Sequence, residues 1–528
     1  MNREAKPSGW GLPEERYPQE RLHRFLDLLE ARGMGRREPQ EVPKMPTAPS
    51  SELLEEDVEA LKIITDLTME EDERISHSIG KSYRDLLGVR LGLPVEATDA
   101  VALPRNVDEV RRIVEFASAR GIAIVPFGGG TSVLGGLRPL RGIHRAVLTV
   151  DLRRLNKVLE IDDTSMLARV EAGILGPELE EKLQSRGMTL GHYPQSFHFS
   201  VLGGWIATRS CGHLSGRYGG IEDMVQAVKV ITPAGELATK GIPARSVGPE
   251  LRELILGSEG SLGIIVEAVL RVRRKAEAKD TRVVLFDSFS GALDVCRKMV
   301  QAGIKPALVR ISDEEESAMI MALAGLEAED TPSLILLGFE GSRLEVVSGM
   351  EGALNILADA GGVDMGHEAA SVWEQEYYRT PYLRDELLDR GYLVETLETA
   401  ASWSRLWDLY AGVHRALQRV NEEQVVEGLI LCHLSHIYRD GGSLYFTMIV
   451  SQLPGREVEQ WQKLKEAATE VIMHEGGTLS HHHGIGVDHL QWMRAEHGEA
   501  ALKALRAVKS ALDPSGIMNP GKVLEEED

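Results

Sequence analysis

Apolar positions are sparse along the first fifty residues. Only Leu22, Phe25, Leu26, Leu28 and Leu29 recur at helical spacing, which predicts one helix in an opening arm otherwise rich in Pro, Arg and Glu. "SSELLEEDVEALKIITD" starts a second helix, which Ser50 or Ser51 can cap and whose first turns are crowded with acids. From Ala97 the pattern changes. "DAVALPRNVDEVRRIVEFASARGIAIVPFGGGTS" reads strand, helix, strand, glycine loop, with Asn106 as the cap and Val110, Ile113, Val114 and Ala117 along one helix face. "AVLTVDL", "LARVEAG" and "QAVKVITPAG" are β-branched strands followed by turn residues. "GPELEEKLQSRG" is a helix that Gly187 ends.

After the charged stretch "RVRRKAEAKD" a second alternation begins. "TRVVLFDS", "ALVRISD", "SLILLGFEG" and "SLYFTMIVS" are strands with helices between them. A long helix, "GREVEQWQKLKEAATEVIMHEGG", delivers the chain to "SHHHGIG", residues 480–486. A last helix, "AALKALRAVKSAL", stops at Asp513-Pro514. The pattern is α+β, and 528 residues imply two or more domains.

Composition narrows the function. The net charge is -22, from 81 acids against 59 bases. That argues against nucleic-acid binding, which needs a basic face, and leaves room for a local basic pocket. Cys211, Cys296 and Cys432 are far apart and form no CxxC, so a reducing compartment is expected. The start has no secretion signal, and no run of about 18 apolar residues predicts a membrane span. "VLEEED" at the end reads as a solvated acidic tail.

Three stretches carry candidate chemistry. "PFGGGTSVLGG", from Pro126, exposes backbone N–H groups and permits positive φ, so a diphosphate can approach closely. It lacks the lysine of a Walker loop, and a tight surface turn is the bland alternative. "GHYPQSFHFSVLGGWIATRSCGHLSGRYGGIEDMV" is a long run without bulky periodicity, which inside a domain implies loops with a function. "LGSEGSLGIIVEAVLRV" alternates Gly257, Gly260 and Gly263 with small polar residues before a strand. Together they suggest a large, phosphate-bearing ligand.

The order of these stretches resembles the FAD-binding domain of the vanillyl-alcohol-oxidase type flavoproteins. Within that superfamily the chain resembles the alkyldihydroxyacetonephosphate synthase family. "HHHGIG" points there, since lactate and glycolate dehydrogenases of the superfamily usually show an "EHGIG"-like loop. "KSYRDLL", "PALVRISD", "PYLRDELL", "ETLETAASWSRL" and "GGSLYF" match as well, so the resemblance covers nearly all of the chain after about residue 50. It implies an N-terminal helical arm (1–90), a two-subdomain FAD-binding domain (91–275), an α+β cap with an antiparallel sheet (276–475) and a C-terminal segment (476–528) whose histidine loop packs at the flavin.

The resemblance also assigns residues. Pro126, Gly128, Gly129, Gly130, Thr131 and Ser132 would hold the FAD diphosphate. Pro194, Gln195, Ser196, Gly203, Gly204, Thr208, Arg209, Ser210, Glu259, Gly260, Gly263 and Ile265 would contact the rest of the dinucleotide. Thr131 stands where some relatives carry a flavin-linked histidine, so non-covalent FAD is expected. The implied reaction exchanges the acyl group of acyl-dihydroxyacetone phosphate for a fatty alcohol without net redox change. It needs a proton shuttle, an anion clamp and an apolar channel. His481, His482 and His483 suit the shuttle, with His482 and His483 favoured. Tyr445 matches an active-site tyrosine, Arg384 and Arg310 match active-site arginines, and Thr396 stands where the family often has Ser.

Bland readings stand beside these. From local sequence alone Arg384 reads more readily as a solvated helix charge and Tyr445 as a core strand aromatic. Arg310, amid apolar strand residues, needs a partner. Adjacent histidines rarely converge on one ion, so no metal is expected. The rival function is an FAD-dependent 2-hydroxy-acid dehydrogenase, and a flavin-binding module without turnover is a third reading. A cytoplasmic homodimer with a peripheral membrane face, binding a phosphorylated lipid-like substrate and a fatty alcohol, completes the expectation. Departures from the animal enzymes are "YPQS" where they tend to carry "EPDS", and the lack of a peroxisomal ending.

Overall fold

The structure, a computed structural model, describes residues 6–40, 46–326 and 331–525. The first five residues and the acidic end at 526–528 lie outside the described residues. Three large sheets and a two-stranded ribbon, Met188–Thr189 with Arg273–Arg274, organise the rest. The first has four strands in the order Asp66–Thr68, Ala100–Leu103, Ala146–Asp151, Ile122–Phe127, the last two pairings being parallel. Helix Val107–Arg120 packs beside it. The Asn106 side chain caps this helix by accepting the Glu109 N–H at 3.0 Å, and Gly121, with φ +60°, ends it. The second sheet is antiparallel: Val158–Asp162, Leu167–Glu171, Ile264–Arg271, Val225–Thr232, Gly235–Ala238. The glycine loops lie at the ends of strands in these two sheets.

The third sheet has seven antiparallel strands: Val363–Asp364, Ala278–Phe286, Ser333–Gly341, Leu308–Ser312, Gly428–Ile437, Gly441–Ser451, Tyr392–Ser402. Helices Phe289–Gln301, Arg343–Asp359, Trp403–Gln424 and Glu457–His474 pack on it. Side chains alternate across a strand. Val309, Ile311, Cys432, Leu434, Phe446, Met448 and Leu397 go to the core, and the residues between them face a cavity. Three of these strands, Val363–Asp364, Tyr392–Ser402 and Gly428–Ile437, have no counterpart in the strands expected from the sequence.

The segment before residue 90 is not a purely helical arm. Helix Gln19–Ala31 buries Leu22, Phe25, Leu26 and Leu29 and meets helix Glu314–Ala324 of the cap. Helix Glu55–Ile64 is followed by Asp66–Thr68, which joins the first sheet. Neither Ser50 nor Ser51 caps that helix. It starts after Leu54, whose N–H donates to Asp57 at 3.1 Å, so a first-turn carboxylate does the capping. No helix among the described residues is long and apolar enough to cross a membrane.

Candidate active site

One cavity of about 410 Å³ runs from the glycine loops to the cap. Pro126, Gly128 to Ser132, Pro194 to Ser196, Gly203, Gly204, Thr208, Ser210, Glu259, Gly260, Gly263 and Ile265 line one end. The glycines are required by packing. A Cβ on Gly129 would overlap the Phe199 carbonyl oxygen, and one on Gly260, at φ +77°, would sit 2.8 Å from Pro126 Cγ. The glycines therefore let these loops pack closely against the Phe199 backbone, the Pro126 ring and the Val201 side chain. Arg209 is not part of it. It adopts φ +51° at the end of helix Leu202–Thr208 and turns outward to Glu253 at 3.3 Å, although Thr208 and Ser210 on either side line the cavity.

The cap supplies the other end. Four strands contribute alternate residues: Leu308 and Arg310; Leu431, His433 and Ser435; Tyr445, Thr447 and Ile449; Val394 and Thr396. A register shift between Leu434 and His436 turns His436 inward as well. The lining grades from polar to apolar. Beyond Thr447 and Leu431 it continues into Met319, Ile320 and Leu323 of one helix and Leu383 and Leu387 of another.

Arg310 has the partner that its apolar strand demands. Its Nη2 donates to Glu316 Oε1 at 2.8 Å, and His433 Nδ1 lies 2.8 Å from the same oxygen. Burial alone would push the Glu316 carboxyl up, but Arg310 and His433 outweigh it and hold it at about 2. His433 in turn stacks on Tyr445, ring centres 4.9 Å apart. Burial pushes the Tyr445 phenol up to about 12, so it is a proton donor at neutral pH, with the Thr396 hydroxyl beside it. Arg384 donates to the Val394 and Lys81 carbonyls at 3.2 and 2.8 Å. Its Nη2 and Arg310 Nε are buried without a partner, two guanidinium N–H positions ready for an anion.

Two carboxylates, one from each domain, fix the histidine loop. Glu398, opposite Tyr445 in the sheet, accepts the N–H of His481, His482 and His483 at 2.6, 3.2 and 2.9 Å, and the Ser480 hydroxyl at 2.6 Å. Burial opposes ionisation of Glu398, yet the three histidines and Ser480 hold its carboxyl well below the usual range. Glu259 accepts the N–H of Ile485 and, at 2.8 Å, of Gly486. With fewer donors its burial wins, and its carboxyl is pushed up. Gly486 is obligatory here: its φ is +55°, and a Cβ would overlap the Leu134 carbonyl oxygen.

The imidazoles stay neutral at pH 7. Burial holds His481 and His482 at about 4 and lowers His483. His482 and His483 line the cavity, while His481 stands behind them, its Nδ1 3.0 Å from His482 Nδ1 and its Nε2 2.6 Å from the Tyr438 hydroxyl. His436 brings a third ring nitrogen within 4.8 Å of those of His481 and His482. Its Nδ1 meets Ser215 Oγ at 2.7 Å, and its ring stacks on His481 with centres 4.9 Å apart. Glu398, Glu316, His433 and His436 are site residues that sequence reasoning did not identify, because their partners come from remote segments. Trp10 of "GWG" also lines the cavity, edge-on to Phe199 at 5.8 Å, with its N–H on Asp385 at 2.5 Å.

Comparison with known proteins agrees with this geometry. Residues 98–240 match the family "FAD binding domain", and residues 275–523 match "FAD linked oxidases, C-terminal domain". Proteins named alkyldihydroxyacetonephosphate synthase from Dictyostelium discoideum and Trypanosoma brucei brucei are 34% and 35% identical to this chain. Each alignment covers 85% of the chain and 77% of the relative. The chain belongs to the alkyldihydroxyacetonephosphate synthase family. A solved structure of an alkyldihydroxyacetonephosphate synthase superposes with a TM-score of 0.85 at 29% identity, covering 98% of this chain and 99% of that one. The fold is accordingly the α+β FAD-binding domain of the vanillyl-alcohol-oxidase type with an antiparallel cap, and the cofactor of the synthase family fold is FAD. The cradle fits it: Gly128 to Gly130 line the cavity with backbone and bring no side chains of their own, which suits a diphosphate.

Proposed function

We propose that this protein is an FAD-dependent transferase that exchanges the acyl group of acyl-dihydroxyacetone phosphate for a fatty alcohol. The observation that carries the reading is the continuity of one cavity. The glycine cradle, Arg310 and Arg384 with their unpartnered N–H groups, the neutral imidazoles and a set of apolar side chains all line it. A short 2-hydroxy acid would use the first three and leave the apolar side chains without a role.

Gly128 to Ser132 and the loops at Pro194–Ser196 and Glu259–Ile265 would hold FAD. The bound cofactor supplies electron-rich ring chemistry at the substrate carbon with no net redox change. Arg384, through Nη2, binds the phosphate, and Arg310 Nε adds a second N–H. Met319, Leu323, Leu383 and Leu387 hold the alkyl chain and exclude water. The acyl group leaves as a carboxylate, and the Tyr445 hydroxyl donates a hydrogen bond to the substrate oxygen. As the alcohol oxygen bonds to the substrate carbon, its proton passes to a ring nitrogen of His482 or His483, which burial keeps free to accept it. Thr131 leaves the cradle without a nucleophilic ring for covalent flavin, so the FAD is non-covalent and acid precipitation releases it. The reading carries with it a cytoplasmic homodimer peripheral to membranes, checked by sedimentation and by flotation with lipid vesicles.

The test uses purified holoprotein, acyl-dihydroxyacetone phosphate and isotope-labelled hexadecanol. The expected result is labelled alkyl-dihydroxyacetone phosphate plus free fatty acid, with no flavin bleaching by D-lactate or glycolate under anaerobic conditions. Bleaching by those acids, without alcohol exchange, would establish the dehydrogenase instead.

A further inference from the structure

We propose that Tyr438 is the outer end of a proton relay that connects the cavity histidine His482, through His481, to solvent. The inference rests on the proposed alcohol exchange, in which a proton leaves the alcohol on one side of each turnover. The geometry is a continuous chain. His482 lines the cavity, its Nδ1 lies 3.0 Å from His481 Nδ1, and His481 Nε2 lies 2.6 Å from the Tyr438 hydroxyl. Both separations are within hydrogen-bond range. Tyr438 is 41% exposed as a residue, with its hydroxyl also against the Cys211 thiol, whereas the His482 and His483 side chains are 16% and 14% exposed.

The tyrosine is held for this position. Its N–H donates to the Gly441 carbonyl at 2.8 Å, and its own carbonyl accepts Trp403 Nε1 at 3.2 Å. These bonds pin the turn between strands Gly428–Ile437 and Gly441–Ser451 beside the histidine loop. His481 has both ring nitrogens committed along the chain, one inward and one outward. His482 has only Nε2 left, which is the nitrogen available to substrate.

Proton bookkeeping closes. His482 takes the alcohol proton at Nε2 and passes the proton on its Nδ1 to His481 Nδ1. His481 passes the proton on its Nε2 to the Tyr438 oxygen, and Tyr438 releases its own proton to water. One proton enters, one leaves, and no charge stays buried; each ring then carries its proton on the other nitrogen, and turning of the two rings restores the starting tautomers before the next turnover. Both imidazoles are held near 4 by burial, so neither retains the proton at neutral pH.

Tyr438→Phe removes only the relay oxygen at a partly exposed site, so folding and flavin content serve as unchanged controls. The expected result is a turnover number about tenfold lower, below the roughly 10²–10⁴-fold that a directly acting acid or base supplies. The solvent deuterium isotope effect should rise. Added imidazole buffer should restore the rate of Y438F in proportion to its concentration and leave the parent rate unchanged. A Y438F rate equal to the parent's, or a loss that imidazole does not restore, would overturn the relay while the parent's exchange activity leaves the proposed reaction standing. A parent without alcohol exchange would overturn the reaction itself, and the relay with it.

Discussion

Glu398→Gln is the most informative perturbation of the site. The carboxylate accepts four donors, three at Oε1 (Ser480 Oγ and the N–H of His482 and His483) and one at Oε2, the His481 N–H. Glutamine keeps one acceptor oxygen and puts an NH₂ where the other stood. With the amide nitrogen at the Oε2 position, one charge-assisted hydrogen bond of about 1.5–3 kcal/mol is lost. The His481 N–H is also left facing a donor, which costs about 1–3 kcal/mol more. The alternative flip loses three bonds and is worse. The expected destabilisation is therefore about 2.5–6 kcal/mol, read as a lower urea midpoint with unchanged slope. Alcohol exchange should fall by at least two orders of magnitude, because the backbone of all three histidines hangs on this group. The stability gap should also depend on pH. The Glu398 carboxyl is depressed in the folded state, so its contribution is fully present above the unfolded value near 4.5 and is lost as pH falls below it. An E398Q protein within about 1 kcal/mol of the parent at pH 7, with unaltered turnover, would refute the claim that this carboxylate holds the loop.

Gly129→Ala should purify with little or no flavin, measured by absorbance, because its Cβ would overlap the Phe199 carbonyl and force the cradle loop out of place. Arg384→Met should raise KM for the phosphorylated substrate about 10- to 150-fold, the equivalent of about 1.5–3 kcal/mol for a charged hydrogen bond, and leave flavin content intact. Acid should destabilise the fold from pH 6.5 downward, followed by the tryptophan fluorescence midpoint. His481 and His482 are held at about 4, below their unfolded value of 6.5, so the unfolded chain binds protons first as pH falls through that window.

The sequence disclosed the parts of the site whose chemistry is local. Glycine runs declare bare backbone, and the positions from Pro126 to Ser132 line the cavity as their spacing suggests. The triple histidine ahead of two glycines likewise announces a loop, and Gly486 explains why that loop cannot take a larger residue. What stayed hidden is non-local. "YLVETLETAAS" hardly resembles a buried strand, because Glu395 and Glu398 interrupt it. They are tolerated only because Trp461 and the residue 480–483 loop, far along the chain, bring donors to them. His433 and His436 were hidden for the same reason, their partners being Glu316 and Ser215. Arg209 misled in the opposite direction. Its neighbours Thr208 and Ser210 line the cavity, but a left-handed backbone at Arg209 sends the side chain to solvent.

The central claim is that the glycine cradle and the histidine loop, more than 300 residues apart in sequence, serve one cofactor. A crystal structure of the FAD-loaded protein tests it most directly. The account predicts the diphosphate against the backbone of Gly128 to Gly130 and the flavin ring beside His482, His483 and Tyr445. A ring lying beyond ~10 Å from all three side chains, outside hydrogen-bond reach, would contradict it.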